Sequence, residues 1–199
     1  SSCSARLFVT AVFAAPPVIL RVDDSVIGTL GNFSASTGKA KSKKTFNVCA
    51  IVAAAMTGGT VLNYSASLPP ERRRILYVDT EQSRFHCKRV LCRILRLAGL
   101  PTDVHPPLLE FLCLRGYATK ERLRKIEEAI YDLDDLGLVV IDGIRDLAHD
   151  INSPGEATDL ITKLMQWTDE RRIHIHTVLH LNKGDDNTRG HLGTELNTK

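Results

Sequence analysis

No stretch of this chain reaches the roughly 18 consecutive apolar residues that a membrane-spanning helix requires, and a charged content of 25% excludes a membrane bundle. Cysteine is scarce: Cys3, Cys49, Cys87, Cys92 and Cys113 are odd in number, scattered, and contain no CxxC pair. That pattern excludes a disulfide framework and fits a reduced, cytoplasmic chain. An excess of one charge is also missing. The 26 Lys and Arg against 23 Asp and Glu leave a net charge of +3, which suits a nucleotide or nucleic acid without requiring one. Internal repeats and low-complexity segments are absent, and aromatic residues are only 6%. What is present, 199 residues of which 43% are hydrophobic, excludes a disordered tail and fits one domain with its own core over residues 1–199.

Residues 1–17 read as an N-terminal arm. Ser1 to Arg6 followed by Leu7 to Ala15 is a faint match to a leader, but one basic residue, Thr10 and the Pro16-Pro17 boundary favour an entry strand or packed arm. Beyond it, β-rich apolar runs alternate with helical patterns. Strands are expected at Val18 to Val22, Leu30 to Ser36, Arg74 to Asp79, Leu108 to Leu114, Leu138 to Asp142 and Ile173 to Leu179. Helices are expected at Lys44 to Met56, around Cys87 to Ala98, after a Thr119 cap, and after Ser153-Pro154-Gly155-Glu156, which has the spacing of a capping box. This alternation predicts βαβ crossovers and hence an α/β fold with a mainly parallel central sheet covered on both faces. Ligands of such sheets bind at the carboxyl ends of the strands, and three strands here end on polar groups: Asp79 with Glu81, Asp142, and His180. The pattern breaks off at Lys199, so the C-terminal end reads as cut.

Between a strand and the buried helix lies Gly38-Lys39-Ala40-Lys41-Ser42-Lys43-Lys44-Thr45. It has the Gly-x4-Gly-Lys-Ser/Thr spacing of a phosphate-binding loop, with Lys43 in place of the second glycine. Backbone N–H groups at a helix start attract phosphate oxygens. Lys44 would reach the terminal phosphates and the Thr45 hydroxyl would ligate Mg²⁺. A solvated basic turn is the alternative, and Lys43 would crowd a ligand that glycine would admit. An acid at the end of a buried strand is a separate requirement of a phosphate-loop ATPase, and Asp142 meets it. The span between Thr45 and Asp142 leaves room for two strand–helix units. Asp79-Thr80-Glu81 offers a carboxylate to polarise a water, or else an N-cap for the helix beginning near Gln82.

With these motifs in this order the chain resembles the RecA-like ATPases, and within them the RepA and DnaB-type ATPases of plasmids and bacterial mobile elements, a group of AAA-family ATPases. The residues that carry the resemblance are Gly38 to Thr45, Tyr77 to Glu81, Val139 to Leu147, and His180 to Gly184, so it covers roughly residues 16 to 199. It implies a three-layer αβα P-loop fold that binds ATP and Mg²⁺. Gly38, Lys41, Ser42, Lys43, Lys44, Thr45 and Phe46 would form the nucleotide-binding stretch. Thr45 and Asp142 would hold Mg²⁺, Glu81 would activate water, and His180 would sense the γ-phosphate. Lys183 and Arg189 lie in the loop that, by the same resemblance, reaches DNA or a neighbouring subunit's nucleotide, with Arg189 as an arginine finger. A homo-oligomer is implied, with a hexamer as one form, working on DNA in replication or mobilisation of a genetic element. Two alternatives share the fold: a regulator that holds ATP with slow or no hydrolysis, and a DNA-binding scaffold.

Four further features have structural readings first. His174, His176 and His180 share parity on one strand, which raises zinc but fits packed or surface histidines better. Arg72-Arg73-Arg74 reads as a solvated loop, with DNA contact as the alternative. Trp167 reads as core or subunit interface, and Asp132, Asp134 and Asp135 as solvent-facing punctuation.

Overall fold

The sequence alternates short β-branched runs with amphipathic stretches, and the chain folds as that pattern demands. The computed structural model describes residues 5–39, 44–150 and 153–181. Residues 5–17 form neither helix nor strand, and Leu7, Phe8, Val9, Val12 and Phe13 are exposed, so the entry strand or packed arm expected there is not what these residues adopt. Val18–Val22 (β1) and Ser25–Thr29 (β2) then form a hairpin that turns at Asp23, φ 48°. Phe33–Lys39 (β3) leads towards Lys44–Thr57 (α1), which ends at Gly58 with φ 68°. Thr60–Val61 (β4) and Tyr64–Ala66 (β5) form a second hairpin. The rest alternates: Arg74–Asp79 (β6), Arg84–Leu97 (α2), Leu109–Cys113 (β7), Thr119–Asp132 (α3), Leu136–Asp142 (β8), Pro154–Arg171 (α4) and His174–Leu181 (β9).

Five of these strands make one parallel sheet in the order β3-β9-β8-β6-β7. Its two faces are covered differently. Leu76, Val78, Val139, Ile141 and Ile175 point to a core shared with Ile126 and Ile130 of α3 and with Leu160, Leu164 and Trp167 of α4. Ile75, Tyr77, Leu138, Val140 and Val178 point to the opposite core, built by α1 and by Val90 and Ile94 of α2. The three layers expected from the alternation are therefore present. Residues Val48 to Ala55 of α1 are all buried, because this helix touches the sheet on one side and α2, β4 and β5 on the others. A helix enclosed on all sides must be apolar all round.

The sequence reading missed the second sheet, a four-stranded layer in the order β2-β1-β5-β4 that packs beside α1. Two local expectations are also corrected. The first helical residue of α3 is Thr119 and its cap is Ala118, whose N–H donates to Glu121 Oε2 at 3.2 Å. Ser153 does cap α4 and Pro154 is its first residue, but the capping box does not close. Glu156 Oε2 instead accepts from the N–H groups of His149 (2.6 Å) and Asp150 (3.0 Å), tying the preceding loop to the helix start.

Candidate functional site

The register of the parallel sheet brings its carboxyl-end residues into two adjacent rows. Gly38 stands beside His180, Asp142 beside Val178 on one side and Asp79 on the other, and Asp79 beside Cys113. Alternation along the strands then selects the side of the sheet. Tyr77, Asp142 and His180 all face the layer of α1, whose first residue is Lys44. Strand parity and register thus place Asp142 and His180 at one edge, and the start of α1 and the turn after β6 bring Lys44 and Glu81 to it.

Asp142 is the centre of this edge and is 4% exposed. Its Oδ2 accepts the Tyr77 hydroxyl at 2.9 Å and its Oδ1 accepts His180 Nε2–H at 2.8 Å. Both partners feel the carboxylate. The hydrogen bond to Asp142 raises the His180 pKa against the opposing effect of burial. Burial, reinforced by Asp142, holds the Tyr77 hydroxyl well above its usual range, so it stays a donor. Tyr77 is the participant that sequence reasoning missed as a site residue. The signal was available, since Tyr77 lies two residues before Asp79 on the same face of β6.

Lys44 is buried at the start of α1, and its ammonium donates to the Gly38 carbonyl. Burial lowers its pKa, and the negative charges of Asp142 and Glu81 oppose that shift. Thr45 follows in the first turn of α1, half-buried, and Phe46 is exposed. Lys41, Ser42 and Lys43 of the loop, and Lys183 and Arg189 beyond β9, lie outside the described residues.

The Asp79-Thr80-Glu81 segment divides its roles. Asp79 Oδ1 accepts the N–H groups of Glu81 (3.0 Å) and Gln82 (2.8 Å), and its Oδ2 accepts Gln82 Nε2–H at 2.7 Å. Asp79 is thus the staple of the turn, the structural alternative weighed for it, although α2 starts later, at Arg84 with Ser83 as cap. The Thr80 hydroxyl is buried, 2.8 Å from both the Gly143 carbonyl and Asp146 Oδ2. Gly143 (φ 92°) has no space for a side chain, because a Cβ there would lie 2.2 Å from Thr80 Oγ1. These clasps leave Glu81 at the exposed lip of the edge. Partial burial raises its pKa, His180 pulls it down, and Asp146, Asp142 and Asp79 push it up again. A carboxylate so placed is suited to taking a proton from a water.

The other two histidines do not join the site. His174 and His176 are buried and neutral, their pKa values lowered by burial to about 4 and about 3. Their ring nitrogens are all engaged: His174 Nδ1 with the Thr29 carbonyl (2.8 Å), His174 Nε2 and His176 Nδ1 with Ser34 Oγ (2.8 Å each), and His176 Nε2 with Ser36 Oγ (2.9 Å). Packed histidines are the right reading for this pair. The arginine run is also structural in two of its three members. Arg72 donates to the Arg171 carbonyl, and Arg74 pairs with Asp135 (2.7 Å) and Glu110 (3.2 Å), so Asp135 is an ion-pair partner and not mere punctuation. Trp167 is core, 1% exposed, with its indole N–H on Glu127 at 3.0 Å.

The donor set fits a magnesium nucleotide. One carboxylate and one helix-start hydroxyl match the sparse protein ligation of Mg²⁺, which keeps its waters and takes phosphate oxygens for the rest, and the Lys44 ammonium is a partner for those phosphates. Asp142 would hold the ion with Thr45, and both of its oxygens retain a lone pair beyond the bonds to Tyr77 and His180.

A family model described as AAA domain matches residues 10–186, well over half of the chain. No curated protein matches the sequence. The match agrees with a RecA-like P-loop fold, a five-stranded parallel sheet flanked by helices, and with nucleotide-binding ATPases as the class.

Proposed function

The chain belongs to the AAA domain family, and from that premise we propose that it binds Mg·ATP and hydrolyses it as a RecA-like domain acting on DNA, in the manner of the RepA and DnaB-type ATPases of mobile elements. The observation that supports this most is the meeting of Lys44, Asp142 and Glu81 at one end of the parallel sheet from three separate elements. Bound Mg²⁺ supplies charge neutralisation of the phosphates and a template for in-line attack. The protein's own groups do the rest. Lys44 binds the terminal phosphates, Asp142 and Thr45 orient the metal's ligands, and Glu81 accepts the proton of the attacking water. Tyr77 and His180 hold Asp142 in place, and His180 couples it to the end of β9. A homo-oligomer would let Lys183 or Arg189 of one copy complete the site of the next.

The test is phosphate release by the purified chain, with and without single-stranded DNA. Lys44→Ala abolishes hydrolysis, while Glu81→Gln keeps ATP binding and lowers turnover on the order of a hundredfold or more. If Glu81→Gln turns over at the wild-type rate, Glu81 is not the base. A second reading is supported by Lys43 in the loop and by the prior engagement of both Asp142 oxygens: a regulator that holds ATP and hydrolyses it slowly. Calorimetry showing tight ATP binding together with no measurable phosphate release would favour it.

A further inference from the structure

Helix α2 has a composition unlike the other helices among the described residues. Its 14 residues contain five cations, Arg84, Lys88, Arg89, Arg93 and Arg96, and no acid. Cys87, Val90, Ile94 and Leu95 point inward, while Arg84, Lys88, Arg89 and Arg96 are exposed. Among the described residues none of the five is in an ion pair with an acidic side chain, and the half-buried Arg93 lies beside the Cys49 thiol. Along the outer face Phe85, Lys88, Arg89, Cys92, Arg93 and Arg96 line an open groove of about 410 Å³. The Phe85 ring at its head is 70% exposed and lies edge-on to His86, with centroids 5.4 Å apart.

We propose that this face of α2 is a docking groove for single-stranded nucleic acid, with phosphates on Lys88, Arg89 and Arg96 and a base stacked on Phe85. Like charges crowded on one short helix repel one another and find no acidic partner among the described residues, so a polyanion is the complementary occupant. An acidic protein surface would satisfy the cations and leave the Phe85 ring in water. A nucleotide brings a phosphate and a π-face together, and only an unpaired base presents that face. From Phe85 to Arg96 the helix rises about 17 Å, the length of about five stacked phosphates. The groove also reports to the nucleotide edge. Helix α2 begins two residues after Gln82, which Asp79 clasps in the same turn as Glu81. This assignment rests on the DNA-directed part of the function proposed above and locates it on α2.

The experiment is fluorescence anisotropy of the full chain, without nucleotide, on a labelled single strand of about 20 nucleotides across a salt series. Lys88→Ala/Arg89→Ala/Arg96→Ala weakens binding at least about tenfold and lowers the slope of log affinity against log salt by about two, about 0.7 for each lost phosphate contact. Phe85→Ala weakens binding about tenfold and leaves the slope unchanged. The charge-conserving Lys88→Arg/Arg89→Lys/Arg96→Lys variant binds as the wild type does, which separates charge from misfolding. The proposal is overturned if the wild type does not bind, if the alanine triple binds normally, if Arg73→Ala/Lys120→Ala/Arg124→Ala loses as much, or if duplex competes as well as single strand. DNA-free phosphate release by the α2 triple stays at the wild-type rate. A chain that binds DNA through α2 but releases no phosphate would sink the ATPase reading and leave this one standing.

Discussion

At the scale of single residues, the site depends on who holds Asp142. A buried carboxylate is stable only when its oxygens are satisfied, and here Tyr77 and His180 take one each. Tyr77 also stacks on Phe111, centroids 4.7 Å apart, so its ring stays in place when the hydroxyl is removed. Tyr77→Phe therefore isolates one hydrogen bond to a charged acceptor, a loss of about 1.5–3 kcal/mol of stability in urea unfolding. Under the proposed mechanism the same change lowers the rate of phosphate release about tenfold with ATP affinity unchanged, because Asp142 would position the metal's ligands without touching the base or ribose. Normal turnover in Tyr77→Phe would show that His180 alone suffices to orient the carboxylate.

At the scale of elements, the pairing of β3 with β9 carries a polar ladder where an apolar one would be expected. Ser36 donates to His176, His176 to Ser34, Ser34 to His174, and His174 to the Thr29 carbonyl, a chain that closes only if both rings are neutral. Asp142 lies near enough to favour a charge on His176, but burial outweighs it. Both pKa values are depressed below the ordinary 6.5, so the unfolded chain binds more protons than the folded one as pH falls through 6.5 towards about 4 and about 3. Stability is complete above 6.5 and is lost below it, by about 2 kcal/mol per histidine between neutrality and pH about 5. Urea midpoints across that range measure the slope. His174→Asn/His176→Gln flattens it, and an unchanged slope in that variant would place the acid sensitivity elsewhere.

At the scale of the whole molecule, the edge proposed for the nucleotide is assembled from α1, β6, β8 and β9, elements that meet only in the folded chain. A ligand bound there stabilises the native state alone. Mg·ATP at about a hundred times its dissociation constant adds about 2.7 kcal/mol, which raises the melting temperature of a chain of this size by about 5–10 °C. Lys44→Ala removes the shift, and so does chelation of Mg²⁺. A shift that survives both would mean the nucleotide binds at a different place. No helix among the described residues is long and apolar enough to cross a membrane, and the hydrophobic surface is instead spent on the two cores flanking the sheet.

What the sequence determined by itself was local and periodic. The alternation of strand and helix, the fully apolar character of α1, and the polar ends Asp79, Asp142 and His180 are written in residue spacing, so the three-layer fold and most of the site could be read from them. Of the second sheet only β1 was legible as a strand; β4 and β5 could not be read, because strands of two and three residues have too little periodicity to register and exist only by pairing with β1 and with each other. The division of labour in Asp79-Thr80-Glu81 was equally hidden. Three adjacent polar residues look alike in a sequence, and only the turn geometry makes Asp79 a staple, buries the Thr80 hydroxyl and leaves Glu81 at the lip. The cations of α2 were in plain view as letters, but periodicity says which face of a helix is apolar, not whether its charges find partners. That depends on which acids neighbouring elements bring within reach, and for this helix the tertiary structure brings none among the described residues.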